Sequence, residues 1–339
     1  MSGWDLNFGE VCRAGGTMKE IGGYFGLEQL AGREYHAGLT ALNTCRNALL
    51  YVLKARKAKK LYIPSWLCGS VSGMCGRYGI NYDFYTVDEK FLPLPEKVPS
   101  EDEYMLIVNY YGQIDNETLL GLKAGYKNII FDCSQAFFQR PPDNTDTVYS
   151  CRKFFGVPDG AYLFTDIRLE EELETDVSMG RMSHLLGRFE GLASDHYAEF
   201  RKNEESLGEI PLRKMSLLTK NILGAVDYER AGRVRTENFK ILHERLGRIN
   251  ALDLKVPDGA YAYPFYCRNG IEVRKKLQEN RIYVPVLWPN VLADNSEKSR
   301  EYDLASNILP LPCDQRYGKE DMEHIAEMVI ADAESPGSL

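Results

Sequence analysis

Between Thr44 and Thr165 short apolar runs alternate with stretches of helical spacing, and this alternation limits the fold more than any other feature of the chain. Ala48, Leu49, Val52, Leu53 and Ala55 recur at the interval of a helix with one buried face. Asn43 or Thr44 can cap it, and Lys54–Lys60 reads as its solvated end. Leu61-Tyr62-Ile63 follows as a strand. The pattern then predicts a helix over Ser70–Tyr78, a strand over Tyr82–Val87 and a strongly apolar strand over Tyr104–Asn109. A helix over 115–124 and strands over Asn128–Phe131, Asp146–Ser150 and Ala161–Thr165 complete the series. Short strands interleaved with helices indicate an α/β domain with a mainly parallel sheet.

From Leu169 to Leu246 the chain is polar and mostly helical, and Tyr228–Leu246 reads as one long helix. A second unit follows, with a strand over Ala260–Cys267, a helix over Ile271–Asn280, a strand over Tyr283–Val286 and a closing helix over Lys319–Ala333. The boundary falls within Ile249–Val256. This divides the chain into a large domain, 1–249, with a helical insertion at about 169–246, and a small domain, 250–339. Residues 1–37 are glycine-rich, and Gly22-Gly23-Tyr24-Phe25 reads as an ordered turn.

Composition removes several function classes. A chain of 339 residues with 44% hydrophobic and 27% charged residues is not wholly disordered. A net charge of -8, with no dense basic run beyond Lys54–Lys60, argues against a general nucleic-acid binder. Cys12, Cys45, Cys68, Cys75, Cys133, Cys151, Cys267 and Cys313 form no CxxC pair, and the five histidines add no zinc spacing, so no metal is expected. Scattered cysteines read as reduced thiols. Met1–Asp5 lacks the start of a signal peptide and no apolar run reaches membrane length, so a cytoplasmic location without membrane contact is expected.

Three constellations carry chemistry. Lys153 stands among apolar neighbours in Ser150-Cys151-Arg152-Lys153-Phe154-Phe155. Desolvation disfavours an ammonium, so such a lysine keeps an amine free to attack a carbonyl. The same spacing also describes a stem packed on apolar surface with its charge in water. Asp132 follows an apolar strand, at the carboxyl end of the sheet where open α/β folds bind ligands, with Gln135 close behind. A carboxylate there can hold a protonated ring nitrogen or cap a helix. Thr44-Cys45-Arg46 opens a helix whose free N–H groups suit a phosphate, and Ser150 can add a hydroxyl. A lysine, a strand-end carboxylate and a phosphate cup are the three things pyridoxal phosphate requires.

At Thr44-Cys45-Arg46-Asn47-Ala48-Leu49, Ile63-Pro64-Ser65-Trp66-Leu67-Cys68, Val108-Asn109-Tyr110-Tyr111-Gly112, Asp132-Cys133-Ser134-Gln135 and Ser150-Cys151-Arg152-Lys153, the chain resembles the fold-type I pyridoxal-phosphate enzymes. Within them it is similar to the DegT/StrS-like aminotransferases that act on sugars, often nucleotide-linked ones. The resemblance implies a three-layer α/β/α large domain with a mainly parallel sheet, a smaller C-terminal α+β domain, and a homodimer with active sites at the interface. It implies that Lys153 forms the internal aldimine, Asp132 pairs with the pyridinium nitrogen, Gln135 lies beside the ring oxygen, and Cys45, Arg46 and Ser150 hold the phosphate.

Departures from the family pattern are visible. The lysine follows its serine more closely than is usual. The aromatic residue that covers the ring normally stands four residues after the proline; Cys68 occupies that position and Trp66 stands two after, so one of them is expected over the ring. No asparagine-rich partner loop is recognisable, and Gly208–Ser216 stands in its place. On the substrate side Tyr111, Trp288 and Arg316 are candidates, Arg316 as a carboxylate clamp. The expected activity is ping-pong amino transfer from a small-molecule donor to a keto acceptor. Decarboxylation, elimination or side-chain cleavage with the same cofactor, and a catalytically inactive binding homologue, are the alternatives.

Overall fold

The structure, a computed structural model, describes residues 21–30 and 32–333; Cys12 and the Met1–Asp5 start lie outside them. In chain order the elements are β1 (Thr40–Leu42), α1 (Cys45–Ala55), β2 (Lys60–Pro64), α2 (Gly69–Arg77), β3 (Asn81–Val87), β4 (Pro93–Leu94), β5 (Glu103–Val108), α3 (Asn116–Tyr126), β6 (Ile129–Asp132), β7 (Asp146–Ser150) and β8 (Ala161–Phe164). Four helices follow: α4 (Ser183–Glu190), α5 (Tyr197–Leu207), α6 (Leu217–Gly224) and α7 (Tyr228–Leu246). The last part comprises β9 (Tyr263–Tyr266), α8 (Gly270–Glu279), α9 (Pro289–Asp294), α10 (Arg300–Asn307), β10 (Ile308–Leu311) and α11 (Lys319–Ala333).

Strands β1 to β8 make one sheet in the order β1-β8-β7-β6-β5-β2-β3-β4. Its centre, β7-β6-β5-β2-β3, is parallel throughout, and antiparallel strands border it on both sides. Parallel strands are covered on both faces, which is why β6 and β7 are buried at every position. Because β6 and β7 run side by side, with Asp132 opposite Val148, their carboxyl ends bring Asp132 and Ser150 to one edge. Thr44 begins α1 in extended conformation, and its hydroxyl accepts the Asn47 N–H at 3.2 Å. Asn43 is engaged elsewhere, donating to Asp176 at 3.1 Å and to the Pro211 carbonyl at 2.9 Å.

A second core lies behind β9, β10, α8 and α11, where Tyr263, Phe265, Leu277, Leu309 and Met322 pack with Phe239, Leu242 and Leu246 of α7. Helix α7 is therefore shared, and Trp288, Val291 and Ile308 in turn join the core around the large sheet. One expectation changes in this part. Tyr283–Val286 is not a strand: Tyr283 is exposed and Pro285 cannot donate to a ladder. Its place beside β9 is taken by β10, antiparallel, with Pro310 opposite Pro264. Two prolines can face each other only at a pair that makes no N–H···O bonds. Among the described residues no helix is long and apolar enough to cross a membrane.

His36 gives the fold an acid-sensitive point. It is 2% exposed, with Nε2 2.8 Å from the Phe137 carbonyl oxygen and its ring against Tyr149. Burial holds the imidazole down to about 4, whereas an unfolded histidine titrates near about 6.5. Between these values the unfolded chain binds the extra proton. The stability present above about pH 6.5 therefore falls as pH drops toward 4, by about 3 kcal/mol in full. Urea unfolding at pH 7 and pH 5 is expected to show a smaller acid loss in His36→Gln than in wild type. Equal losses would contradict the assignment.

Candidate active site

The site starts where β6 ends. Asp132 is 7% exposed, and its Oδ1 accepts the Ser134 N–H at 2.7 Å. It closes a turn rather than capping a helix, because no helix follows. On the neighbouring strand Ser150 ends β7, buried, and the chain turns at once: the N–H groups of Phe154 and Phe155 both donate to the Cys151 carbonyl, at 3.0 and 2.9 Å. That tight turn points Lys153 back toward β6. Its Nζ donates to Ser134 Oγ at 3.1 Å and lies 5.7 Å from the ring centroid of Tyr261, while Phe154 and Phe155 are buried beside it.

The start of α1 shares this field. The Cys45 thiol is pushed well up by burial and then by the Asp132 carboxylate, with Lys153 and Arg46 acting the other way. Burial pushes the Arg46 guanidinium down, and the Cys68 thiol lies within its field. Arg152 is held down to about 10 by burial, with the Arg46 charge adding to it. Cations thus gather at the positive end of α1, a place where an anion is stabilised. Arg46 also lines a cavity of about 370 Å³ with Gly69, Gly73, Arg77 and Gly208. The loop from Gly208 to Ser216 packs on α1 of its own chain, where the Asn47 side chain donates to the Pro211 carbonyl at 2.9 Å.

The charges of Lys153, Asp132 and Arg46 all act on Cys45, and Ser150 ends the strand beside Asp132, two residues beyond the Asp132–Val148 pair. Gln135 is 1% exposed and its Oε1 accepts the Tyr111 N–H at 2.9 Å, which fastens a turn where Tyr111 has φ +54°. Other candidates are placed differently. Trp66 is 1% exposed and stacked on Tyr110 at 4.6 Å and Phe91 at 5.6 Å. Its ring is buried from solvent, whereas Cys68 is half-buried. Tyr111 is 1% exposed, and Trp288 is buried edge-on to Trp66 at 5.5 Å. Neither opens to solvent. Arg316 does line a cavity with Lys153, but Nε and Nη2 of its guanidinium already hold Asp314, at 2.7 and 2.8 Å. It is not a free carboxylate clamp.

That second cavity, about 970 Å³, reaches from Lys153 to α4 and α5 and to the segment around Tyr283. Four residues near Lys153 were not singled out from the sequence, of which Arg152 and Arg235 line this cavity. Ser134 and Tyr261 touch or face the lysine amine. Arg152 pairs with Glu204 of α5. Arg235, on α7, is 2% exposed and donates to the carbonyls of Phe154 and Ala260 at 3.0 and 2.8 Å. Ser134 and Arg152 lie inside quoted motifs, yet only the turn geometry shows what they reach. Tyr261 and Arg235 come from distant parts of the chain and leave no local signal.

No family model matches the chain, and no curated protein matches it. Solved structures do. An aminotransferase of the DegT/DnrJ/EryC1/StrS type from Brucella abortus superposes with a TM-score of 0.59 at 14% identity, covering 88% of this chain and 86% of the other. PseC from Helicobacter pylori, an aminotransferase of pseudoaminic acid biosynthesis, gives 0.57 at 15% identity, with 87% and 86% covered. A Bacillus subtilis protein, NtdA, solved with bound cofactor PMP, gives 0.60 at 14%, with 86% and 72% covered. The chain has the fold of these aminotransferases.

Proposed function

We propose that the chain is a pyridoxal 5′-phosphate-dependent aminotransferase that moves an amino group from a small-molecule donor to a keto acceptor, a sugar or nucleotide-linked sugar. The observation that carries this reading is the convergence of the Lys153 amine, the Asp132 carboxylate and the start of α1 at one edge of the sheet. The donor set fits the cofactor: an amine for its aldehyde, a buried carboxylate for its ring nitrogen, and N–H groups with cations for its phosphate. When bound, this group supplies an aldehyde for covalent capture and a ring that withdraws electrons from the substrate carbon.

The chain's own residues do the rest. Asp132, oriented by the Ser134 N–H, holds the proton on the ring nitrogen. The N–H groups of Cys45 and Arg46 and the Ser150 hydroxyl hold the phosphate. Lys153 would anchor the cofactor through its amine, and Nζ would serve as the base that takes the proton from the substrate carbon and later releases it. Ser134 Oγ holds that amine in reach throughout. Cys68 lies against the ring. The second unit, 250–339, closes over the site as a small domain, and two chains act as a homodimer; Phe189, Val177 and Met179, 91%, 72% and 78% exposed, support an apolar contact between them. The cysteines of the described residues are free, which suits the cytoplasm.

Loading the protein with the cofactor and adding L-glutamate under single-turnover conditions tests the reading. Loss of the aldehyde-form absorbance with one keto acid per site is expected. Failure to take up the cofactor, or release of carbon dioxide in place of keto acid, would overturn it.

A further inference from the structure

The large cavity carries positive charge that the proposed reaction does not use. Beside the Lys153 amine, Arg152, Arg188, Arg235 and Arg316 line it against a single carboxylate, Asp314, in a chain of net charge -8. Arg316 is engaged with Asp314, and Arg235 with main-chain carbonyls. His196, also in the lining, has Nδ1 on Glu199 at 2.7 Å. At the α4 wall His184 and Arg188 remain, with Arg152 beside them paired to Glu204.

His184 is 8% exposed and its Nδ1 finds no hydrogen-bond partner among the described residues. Arg188 stands one helical turn further along α4, on the same face, and makes no ion pair among the described residues. Arg152 faces both from the lysine turn, bound only to Glu204. Burial first, and the Arg152 charge second, hold the His184 imidazole below its usual value, which places the two groups in one field.

We propose that Arg152, His184 and Arg188 form an oxyanion subsite at the α4 wall, which receives a phosphate or carboxylate carried by a substrate whose reacting carbon lies at Lys153. An unpartnered imidazole N–H and two guanidinium forks are the donors that such a group accepts from. The placement of the substrate rests on the aminotransferase reading; the anion site itself does not.

The test titrates pyrophosphate and, separately, glutarate into the full chain by calorimetry, with and without cofactor. Arg188→Gln and His184→Gln are each expected to weaken anion binding about tenfold, the size of one charge-assisted hydrogen bond. Arg188→Lys is expected to keep most of it, and Arg201→Gln, on the exposed side of α5 and outside the cavity lining, to leave it unchanged. Arg188 is exposed, so its variants fold. Preference for pyrophosphate identifies a phosphate on the substrate and preference for glutarate a carboxylate; either supports the subsite. Wild-type protein that binds neither anion, or binding that depends on Ser150 and not on Arg188, overturns it. Arg188-dependent binding in a protein that takes up no cofactor would keep the subsite and sink the aminotransferase reading. Cofactor uptake with Arg188-independent binding would do the reverse.

Discussion

Lys153→Ala is expected to remove turnover by at least about 10⁴-fold while the protein stays folded. The two effects separate because of where the side chain lies. Among the described residues its amine contacts Ser134 Oγ and the face of Tyr261 and holds no carboxylate in a salt bridge, so truncation breaks no ion pair and opens no gap in the aromatic layer of Phe154 and Phe155. What disappears is the amine that the proposed function assigns as cofactor anchor and proton-moving base. Steady-state rates and a melting curve on the same preparation measure both. A variant that melts with wild type and retains more than a hundredth of its rate would deny Lys153 either role.

Arg235→Met should have the largest effect on stability. The guanidinium joins three distant segments: it donates to Phe154 and Ala260 and, at 2.6 Å, to the Gln315 side chain, and its plane lies 4.6 Å over the Phe154 ring. Methionine fills a similar volume but leaves the buried Ala260 carbonyl without that donor, with a loss of about 3 kcal/mol. Phe154 adjoins Lys153, so cofactor affinity is expected to fall along with stability. Arg235→Lys, which keeps one donor, should recover part of both. If chemical denaturation places Arg235→Met within about 1 kcal/mol of wild type, the three-way junction is not what holds the lysine turn.

The parts of this fold that are legible in the sequence are those where local pattern and burial agree. β5, β6 and β7 are buried parallel strands, and their apolar runs stand out between helices. The long α7 shows its full length from its own periodicity. β10 does not, because Ile308-Leu309-Pro310-Leu311 carries a proline that argues against a strand, and only its partner, with proline at the matching position, makes the pairing possible. Tyr283–Val286 shows the opposite: the right alternation with no neighbour to pair with.

The site divides in the same way. Lys153, Asp132 and the start of α1 can be read because each sits at the end of an element whose direction the pattern predicts. Trp66 misleads: an indole near the expected ring position is an attractive cover, but the pocket of Tyr110 and Phe91 buries it. Arg316 misleads because a neighbour two residues away, Asp314, occupies its fork. Ser134, Tyr261 and Arg235 depend on contacts between residues 19 to 108 positions from the lysine turn or held across it, and no spacing rule reaches that far.

The central claim is that Lys153 is the amine of one site built by Asp132 and the start of α1. Incubation of the full chain with pyridoxal phosphate, borohydride reduction and peptide mapping tests it most directly. A single cofactor adduct on the peptide that contains Lys153, absent in Lys153→Ala and weakened in Ser150→Ala, is the predicted result. An adduct spread over surface lysines, with Lys153 unmodified, would contradict it.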